Sequence, residues 1–285
     1  MYDFEFGSKT AKGGFANEKI ICNKFNNWND DEDAKSWLKI MGYELNKIDY
    51  IEAIQIPTRI NKDDVKKFGF SEEEYEELVH FKKTDVQIQI RLIICVNNIL
   101  KVENISIKKA NSDADYNQVD KRWVNSYQDM WHFDDEIALA LKLFTGEISP
   151  SSYQEMLKIN ISKLREHRRV FLTELKDEVV QKILLFFTEN KILVVSDILK
   201  GRGGFAADWM LVTRYNRACD TTTWILKDIN TVMNFFGQGD VKVSPRGSLY
   251  IGGITMQRKG GTPDPTKLQF KIKPCELFKI KSEEK

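Results

Sequence analysis

Two strand-like segments joined by a tight turn stand in the first half of the 285-residue sequence: TDVQIQIRLIICVNNILKVENISIKKA, residues 84–110. Val86–Val96 and Ile99–Lys108 are rich in β-branched residues, which favour strands. Asn97 and Asn98 between them enter left-handed conformations easily, as a tight hairpin turn requires. The stretch therefore predicts an antiparallel hairpin, and this hairpin is the clearest element of the fold.

Helical and strand-like patterns alternate outward from the hairpin. Upstream, the predicted elements are helices over Phe15–Trp28 and Ala34–Gly42 and a strand over Ile51–Ile56. Downstream, the predicted helices are Gln118–Phe144, Ser151–Asn190 and Ile229–Phe236, and the predicted strands are Trp209–Thr213, Thr222–Ile225, Gly247–Met256 and Lys267–Ile272. This order predicts an α/β fold, with a mixed sheet flanked by helices and a smaller sheet towards the C-terminus. Residues 1–147 are expected to form one domain and residues 148–285 a second region, packed with it as one compact unit.

The composition is typical of a globular protein. Hydrophobic residues make up 42% of the chain and charged residues 30%, which excludes a mainly disordered protein. Apolar runs such as Ile183–Phe187 are too short to span a bilayer, and the charged residues of Met1–Gly14 leave no apolar stretch for a signal peptide. We therefore expect a cytoplasmic protein. The four cysteines lie far apart without a CxxC pair, which predicts reduced thiols and no zinc site.

Charge is distributed unevenly along the chain. Residues 201–285 contain 14 Lys and Arg against 8 Asp and Glu, a net charge of +6, and residues 1–200 contain 29 against 34, a net charge of −5. The overall net charge of +1 hides this difference. The basic C-terminal third is a candidate surface for nucleic-acid phosphates, although solvated lysines are common on any protein surface.

Asp85 and Lys108 are the hairpin residues that suggest chemistry. Asp85 stands at the head of the first strand and Lys108 near the end of the second, so antiparallel pairing would bring a carboxylate beside a lysine. Strand alternation places Ser106 on the same face as Lys108. In metal-assisted phosphodiester hydrolysis, Asp85 would hold a hard divalent cation and Lys108 would orient or deprotonate the attacking water. The alternative is that both are solvated charges at strand ends, the commoner case for such residues.

Glu18 is a second candidate for the same cluster. It lies in the first predicted helix, and Ile21 and Cys22, three and four residues further on, are apolar. Glu18 therefore borders the buried face of the helix and has no cation at ion-pair spacing. Turned towards the hairpin, it would support the cation through water. An exposed helix carboxylate is the competing interpretation.

Polar residues near position 120 are candidates for contact with DNA. Tyr116, Gln118 and Lys121 stand around the start of a predicted helix. Amides and lysines pair with the edges of adenine and guanine, and an exposed aromatic ring can wedge into a base step. The alternative is an ordinary capped helix with a charged face, and for the neighbouring Trp123 and Trp131 a place in the core is the favoured interpretation.

The basic third contains further candidates at turns and strand ends. Arg246 and Ser248 belong to the segment SPRGS, and Gln257 and Lys259 to QRKGG. Donors of this kind suit guanine edges and the phosphates beside them, and solvated turn residues are the equal alternative. Alternation puts Gln257 and Lys259 on one face and Arg258 on the other, which favours base contacts for the first two and phosphate or structure for Arg258.

Consecutive glycines at 201–204 admit two interpretations. Glycines let main-chain amides approach an anion, so GRGG resembles a phosphate-cradling loop. The GK[ST] ending of a Walker motif is absent. A tight structural turn explains the glycines equally well.

Six sequence blocks in one order resemble a known family. They are GSKTAKGGFANEKI, YNQVDKRW, YQDMWHFDD, SDILKGRGGFAADWMLV, SPRGSLYIGGITMQRKGG and LQFKI. The chain is similar to the Hin-type restriction endonucleases specific for GCGC, relatives of MspI and HhaI in the PD-(D/E)xK nuclease superfamily. The resemblance covers nearly the whole chain except the acidic segment Asn61–His80, which we expect to be a surface insertion.

The resemblance implies the activity and the site. It implies a type II restriction endonuclease that uses Mg²⁺, acts as a monomer on a palindromic site in double-stranded DNA, and has a companion methyltransferase as its genetic partner. The metal-binding aspartate would be Asp85, the catalytic lysine Lys108 and the helix glutamate Glu18. Ser106 departs from the Glu or Gln usual two residues before the lysine, so the carbonyl of Ile107, water and substrate phosphate would complete the coordination.

The family also implies roles for the two halves of the chain. Residues 1–147 would form the catalytic nuclease domain and residues 148–285 the DNA-recognition region. Base reading is implied for Gln118, Lys121, Gln257 and Lys259, with Tyr116 as the intercalating aromatic. A protein of this fold that binds its site but has lost cleavage through Ser106 is the alternative function. A repair nuclease is disfavoured because amides and lysines are placed for base edges.

Overall fold

The computed structural model describes residues 16–57, 61–73, 75, 89–216, 219–258 and 267–280, with the backbone alone at residues 64 and 89–91. The chain divides into two compact units. The first consists of Met1–Asn117, Leu199–Val232 and Lys273–Lys285, and the second of Gln118–Ile198 and Met233–Ile272. The predicted boundary at residue 147 therefore lies inside the second unit, because the chain passes between the units several times.

Helices and strands alternate along the described ranges. The helices are α1 (16–26), α2 (Glu32–Ile40), α3 (Val124–Trp131), α4 (Asp135–Thr145), α5 (Asp177–Glu189), α6 (Lys191–Leu199) and α7 (Ile229–Gly237). The strands are β1 (Ile48–Gln55), β2 (Gln89–Val96), β3 (Ile99–Ala110), β4 (Asn117–Arg122), β5 (Trp209–Asn216), β6 (Thr221–Asp228), β7 (Val241–Val243), β8 (Leu249–Ile251), β9 (Ile254–Arg258) and β10 (Leu268–Ile272).

The first unit contains a mixed sheet in the order β1-β2-β3-β5-β6. β2 and β3 form the predicted hairpin, paired from Gln89↔Ser106 to Val96↔Ile99. Asn97 and Asn98 turn it with φ values of 50° and 63°, so the predicted left-handed turn is confirmed. β3 and β5 are parallel, and the other neighbours are antiparallel. The predicted mixed sheet is thus confirmed, and most of the second unit is inserted in the sequence between β3 and β5.

Helices α1 and α2 pack on one face of this sheet. Phe25 and Trp37, with ring centroids 5.1 Å apart, share a core cluster with Ile105 and Ile107 of β3. Asp31 caps α2 by accepting a hydrogen bond from the main-chain nitrogen of Ala34 at 2.9 Å. The packed face determines which β3 residues point to the helices: Ile105 and Ile107 do, so Ser106 and Lys108 point to the opposite face.

The second unit contains a sheet in the order β4-β10-β9-β8-β7. It has the predicted C-terminal strands, but β4 comes from the first half of the chain, where a helix was expected from Gln118. That expectation was wrong for Gln118–Arg122. These mostly polar residues show no alternation of apolar and polar side chains that would predict a strand, and they form one because β10 pairs with them. The helix begins only at Val124.

Two other expectations differ from the structure. Ser151–Asn190 is helical only from Asp177, and short 3-10 turns precede it. Side chains there bond their own backbone, as when Asn160 accepts from the nitrogen of Ser162, and such bonds compete with a helix. In the acidic segment expected to be a surface insertion, Val65 and Phe68 are buried against Phe205.

Two further features of the structure concern its cysteines and the length of its helices. The four thiols are free, as predicted, and Cys22, Cys95 and Cys275 are buried. Within the described ranges, no helix has the length and apolarity needed to cross a membrane.

Candidate functional site

Lys108 and Ser106 are buried on the same face of β3. Lys108 is 3% exposed and Ser106 is fully buried, so the interpretation of Lys108 as a solvated charge is wrong. Among the residues that the structure describes, Ser106 Oγ has no hydrogen-bond partner. A buried hydroxyl without a partner costs free energy unless a water or ligand satisfies it, so the position suits a bound polar group.

Glu18 is also buried, which excludes the exposed helix carboxylate. It lies in α1 and is 2% exposed. Gln55 Nε2 donates to its Oε2 at 3.1 Å, whereas its Oε1 finds no hydrogen-bond partner within the described ranges. Burial raises the pKa of the Glu18 carboxyl from 4.5 to about 7, although the bond from Gln55 and the charge of Lys108 act to lower it.

Glu18 and Lys108 interact through space. The attraction of the Lys108 ammonium lowers the pKa of Glu18. Glu18 in turn raises the pKa of the Cys22 thiol, which burial already raises, to about 12. α1 packs on the face of Ile105 and Ile107, so the carboxylate belongs to the helix side of the sheet, whereas strand alternation turns Ser106 and Lys108 to the other side.

Two predicted residues, Asp85 and Lys259, lie outside the described residues. The side chain of Ile107 belongs to the core, so only its main-chain carbonyl is available as the predicted ligand. Among residues that the structure describes, no three His, Cys, Asp or Glu side chains come together as a candidate metal group. Among the described residues, the buried oxygens of Glu18 and Ser106 each lack a hydrogen-bond partner, and oxygen is the ligand type that a hard cation or its bound water prefers.

The predicted DNA contacts near position 120 lie on or beside β4. Tyr116 is 40% exposed, and Lys273 Nζ lies 5.0 Å from its ring centroid. Gln118 Nε2 is buried and has no hydrogen-bond partner in the part of the chain that the structure describes, and Lys121 is buried. Trp123, expected in the core, is 45% exposed, so that expectation was wrong; Trp131 is buried as predicted.

Gln118, Asp120 and Arg122 lie on the same face of β4, because side chains alternate along a strand. The last two belong to a network of buried polar side chains. Asp120 Oδ1 accepts hydrogen bonds from Arg122 Nε at 3.2 Å and from the hydroxyl of Tyr127. All three side chains are buried. Paired charges of this kind fix the conformation of the strand, and Gln118 is the member of the face left with an unsatisfied donor.

The candidates of the C-terminal third lie in the second unit. Arg246 is exposed in the turn before β8, and Ser248 is half-buried, with its main-chain nitrogen bonded to Ser244 Oγ at 3.1 Å. Gln257 is half-buried on β9 opposite Gln269. Arg258 lies 3.5 Å from Glu166 Oε2, which supports the structural role considered for it.

Sequence reasoning missed two supporting residues of the first unit. Gln55 was counted only as part of a strand, although it holds Glu18. Asn104 of β3 donates from Nδ2 to the carbonyls of Gly204 at 3.1 Å and Ala206 at 3.0 Å. These bonds favour the structural turn over the phosphate cradle for GRGG, and neither amide had a spacing signal that would have marked it.

The family described as R.HinP1I restriction endonuclease matches residues 75–278. The chain belongs to the R.HinP1I restriction endonuclease family. A solved structure of restriction endonuclease MspI in complex with its cognate DNA is similar at 12% identity, with a TM-score of 0.54 over 89% of this chain and 87% of that chain. A comparison with curated protein sequences found no significant match.

The family match makes this chain a type II restriction endonuclease, and the likeness to MspI shows a restriction-endonuclease-like fold. The matched range contains β3 with Ser106 and Lys108 and every predicted DNA contact from Tyr116 to Lys259. Glu18 lies before the matched range, so its assignment depends on its burial and its interaction with Lys108.

Proposed function

We propose that this restriction endonuclease hydrolyses both strands of unmodified double-stranded DNA at the palindrome GCGC, with Mg²⁺ as cofactor. The observation that carries the catalytic part is the burial of Lys108 on the central strand of a restriction-endonuclease-like sheet, where its charge acts on the buried carboxyl of Glu18. The GCGC site is supported by the resemblance of the sequence blocks to endonucleases of that specificity. Binding to duplex DNA is supported by the likeness to MspI, which was solved with its cognate DNA.

Each residue of the site has a physical role in this proposal. Asp85 and the carbonyl of Ile107 would hold the cation, with Glu18 and Ser106 reaching it through water. A divalent cation bound there supplies positive charge that polarises the scissile phosphate. The ammonium of the buried Lys108 would orient the attacking water and stabilise charge developing on phosphate oxygens.

The recognition part rests on residues of β4, β9 and the turns beside them. Gln118, Lys121, Gln257 and Lys259 are proposed to read base edges, Tyr116 to enter a base step, and Arg246 and Ser248 to contact guanine edges or phosphate. The unsatisfied buried donor of Gln118 supports a ligand at that position. We further propose that residues 1–147 serve catalysis and 148–285 recognition, that the protein acts as a monomer, and that a companion methyltransferase protects host sites.

Digestion of unmethylated plasmid DNA with the purified protein tests this function. Incubation with MgCl₂ is expected to give discrete fragments whose sequenced ends lie at GCGC, and EDTA is expected to prevent cleavage. The same plasmid methylated within GCGC is the matched control and is expected to remain intact. Tight site-specific binding without cleavage would favour the alternative, a DNA-binding protein that has lost activity through Ser106.

A further inference from the structure

A run of cationic residues, KLREHRR at 163–169, lies outside the predicted DNA contacts. In the second unit, Glu166 and Arg169 face each other in an antiparallel bridge, and His167 and Arg168 lie exposed at the turn between them. We name Arg165–Arg169 the arginine loop. It belongs to the part of the chain with net negative charge, so the charge distribution along the sequence gave no sign of it.

A buried carboxylate bonds the main chain at the start of the arginine loop and just after its end. Glu174, 4% exposed, accepts hydrogen bonds from the main-chain nitrogens of Arg165 at 2.9 Å and Phe171 at 2.7 Å. The guanidinium carbons of Arg165 and Arg169 each lie 4.4 Å from the centroid of the Phe171 ring. Guanidinium groups held on an aromatic ring lose little further freedom when they bind a phosphate, so the arrangement is preorganised.

The arginine loop is joined to the turn that carries Arg246. Arg165 Nη1 donates to the carbonyl of Arg246 at 3.2 Å, and the nitrogen of Leu172 donates to the carbonyl of Gly247 at 3.1 Å. Gly247 has φ +82°, and a Cβ there would lie 2.6 Å from Phe171 Cβ. The contact needs glycine at this position, and it makes the predicted DNA contact Arg246 part of the same surface as the loop.

Positive charge exceeds negative charge on this surface. Arg169 makes two hydrogen bonds to Glu166, at 2.8 and 2.7 Å, and Arg258 lies 3.5 Å from the same carboxylate. Burial lowers the pKa of Arg258, and the charge of Arg169 lowers it further. Arg165, Arg168, Arg169, Arg246 and Arg258 thus lie in or beside this loop, where Glu166 and Glu174 are the carboxylates paired with Arg169, Arg258 and Arg165. The excess of positive charge among these residues favours an anion.

We propose that the arginine loop binds the sugar-phosphate backbone of duplex DNA beside the Arg246 turn. The inference rests on the proposed function, since it adds a backbone contact to the same DNA complex. Arginine presents paired donors that match two phosphate oxygens, and such contacts position a protein on the duplex without reading its sequence. Neutralising phosphates releases counterions, so these contacts also make binding depend on salt.

Binding measurements with neutral variants test the proposal. The variants are Arg168→Gln and the double variant Arg165→Gln/Arg168→Gln. We would measure their affinity for two duplexes of equal length, one with GCGC and one without. The measurements are made in EDTA at several NaCl concentrations. Arg168→Lys retains the charge, and Lys182→Gln, which replaces an exposed lysine of α5 paired with Glu136, is the control. Thermal unfolding checks that each variant is folded. Arg168 lies at the exposed turn, so Arg168→Gln leaves the bonds of Glu174 to the main chain intact.

Arg168→Gln is expected to weaken binding of both duplexes by a similar factor of about 3 to 10, and the double variant by more. The slope of log affinity against log salt should fall by about 1 for each phosphate contact removed, with Arg168→Lys close to wild type. Unchanged affinity and slope would overturn the proposal while leaving the proposed function intact. Loss confined to the GCGC duplex would also overturn it, since the loop would then read bases. A wild-type protein that binds neither duplex would refute both.

Discussion

Glu18→Gln should make the stability of the metal-free protein less dependent on pH. The folded protein holds the Glu18 carboxyl at a pKa of about 7, against an ordinary value of 4.5, because burial penalises the carboxylate. Between these values the folded state binds a proton more tightly than the unfolded state. The stabilisation from the protonated group is therefore complete below pH 4.5 and is lost as the pH rises through 7.

The magnitude follows from the size of the shift. A difference of one pH unit corresponds to about 1.4 kcal/mol, so the free energy of unfolding of the wild type should fall by about 1 to 3 kcal/mol between pH 4.5 and 8 from this group. Gln keeps the shape of the protonated side chain and carries no charge. The variant should therefore match the wild type near pH 4.5 and exceed its stability at pH 8 by the same amount.

Urea unfolding followed by tryptophan fluorescence at several pH values in EDTA measures this difference. Glu52→Gln, which replaces an exposed carboxylate of β1, is the control and should leave the pH dependence unchanged. A constant difference between wild type and Glu18→Gln across the whole range would refute the reasoning, because Glu18 would then not be the buried titrating group.

Three further substitutions test the site and the fold. Lys108→Ala should abolish cleavage of GCGC plasmid while leaving binding of a GCGC duplex intact; equal loss of binding would contradict its catalytic assignment. Lys259→Ala should weaken or relax recognition by about 1 to 3 kcal/mol if the lysine reads a guanine, measured as affinity for GCGC against single-base variants of the site. Gly247→Ala should lower the free energy of unfolding by about 1 to 3 kcal/mol, because alanine at φ +82° brings its Cβ against Phe171; an unchanged urea midpoint would show that the turn relaxes.

Local chemistry determined the hairpin and its neighbours from the sequence alone. The β-branched residues of β2 and β3 and the Asn97-Asn98 turn act through contacts between residues close in the chain, so their pattern predicts the element directly. The same holds for α1, α2 and α7, whose apolar residues recur at helical spacing. The ordered sequence blocks also indicated the family before any fold was known.

Tertiary structure decided the features that depend on residues far apart in the chain. β4 became a strand because β10, about 150 residues later, lies beside it. Burial of Lys108 and Glu18 depends on how the elements of the first unit pack, and it excludes their interpretation as solvated charges. The arginine loop contacts the Arg246 turn through Arg165 and Arg246, which are 81 positions apart in the sequence. Periodicity records which residues face the same side of one element, whereas burial and long-range pairing depend on which elements pack together.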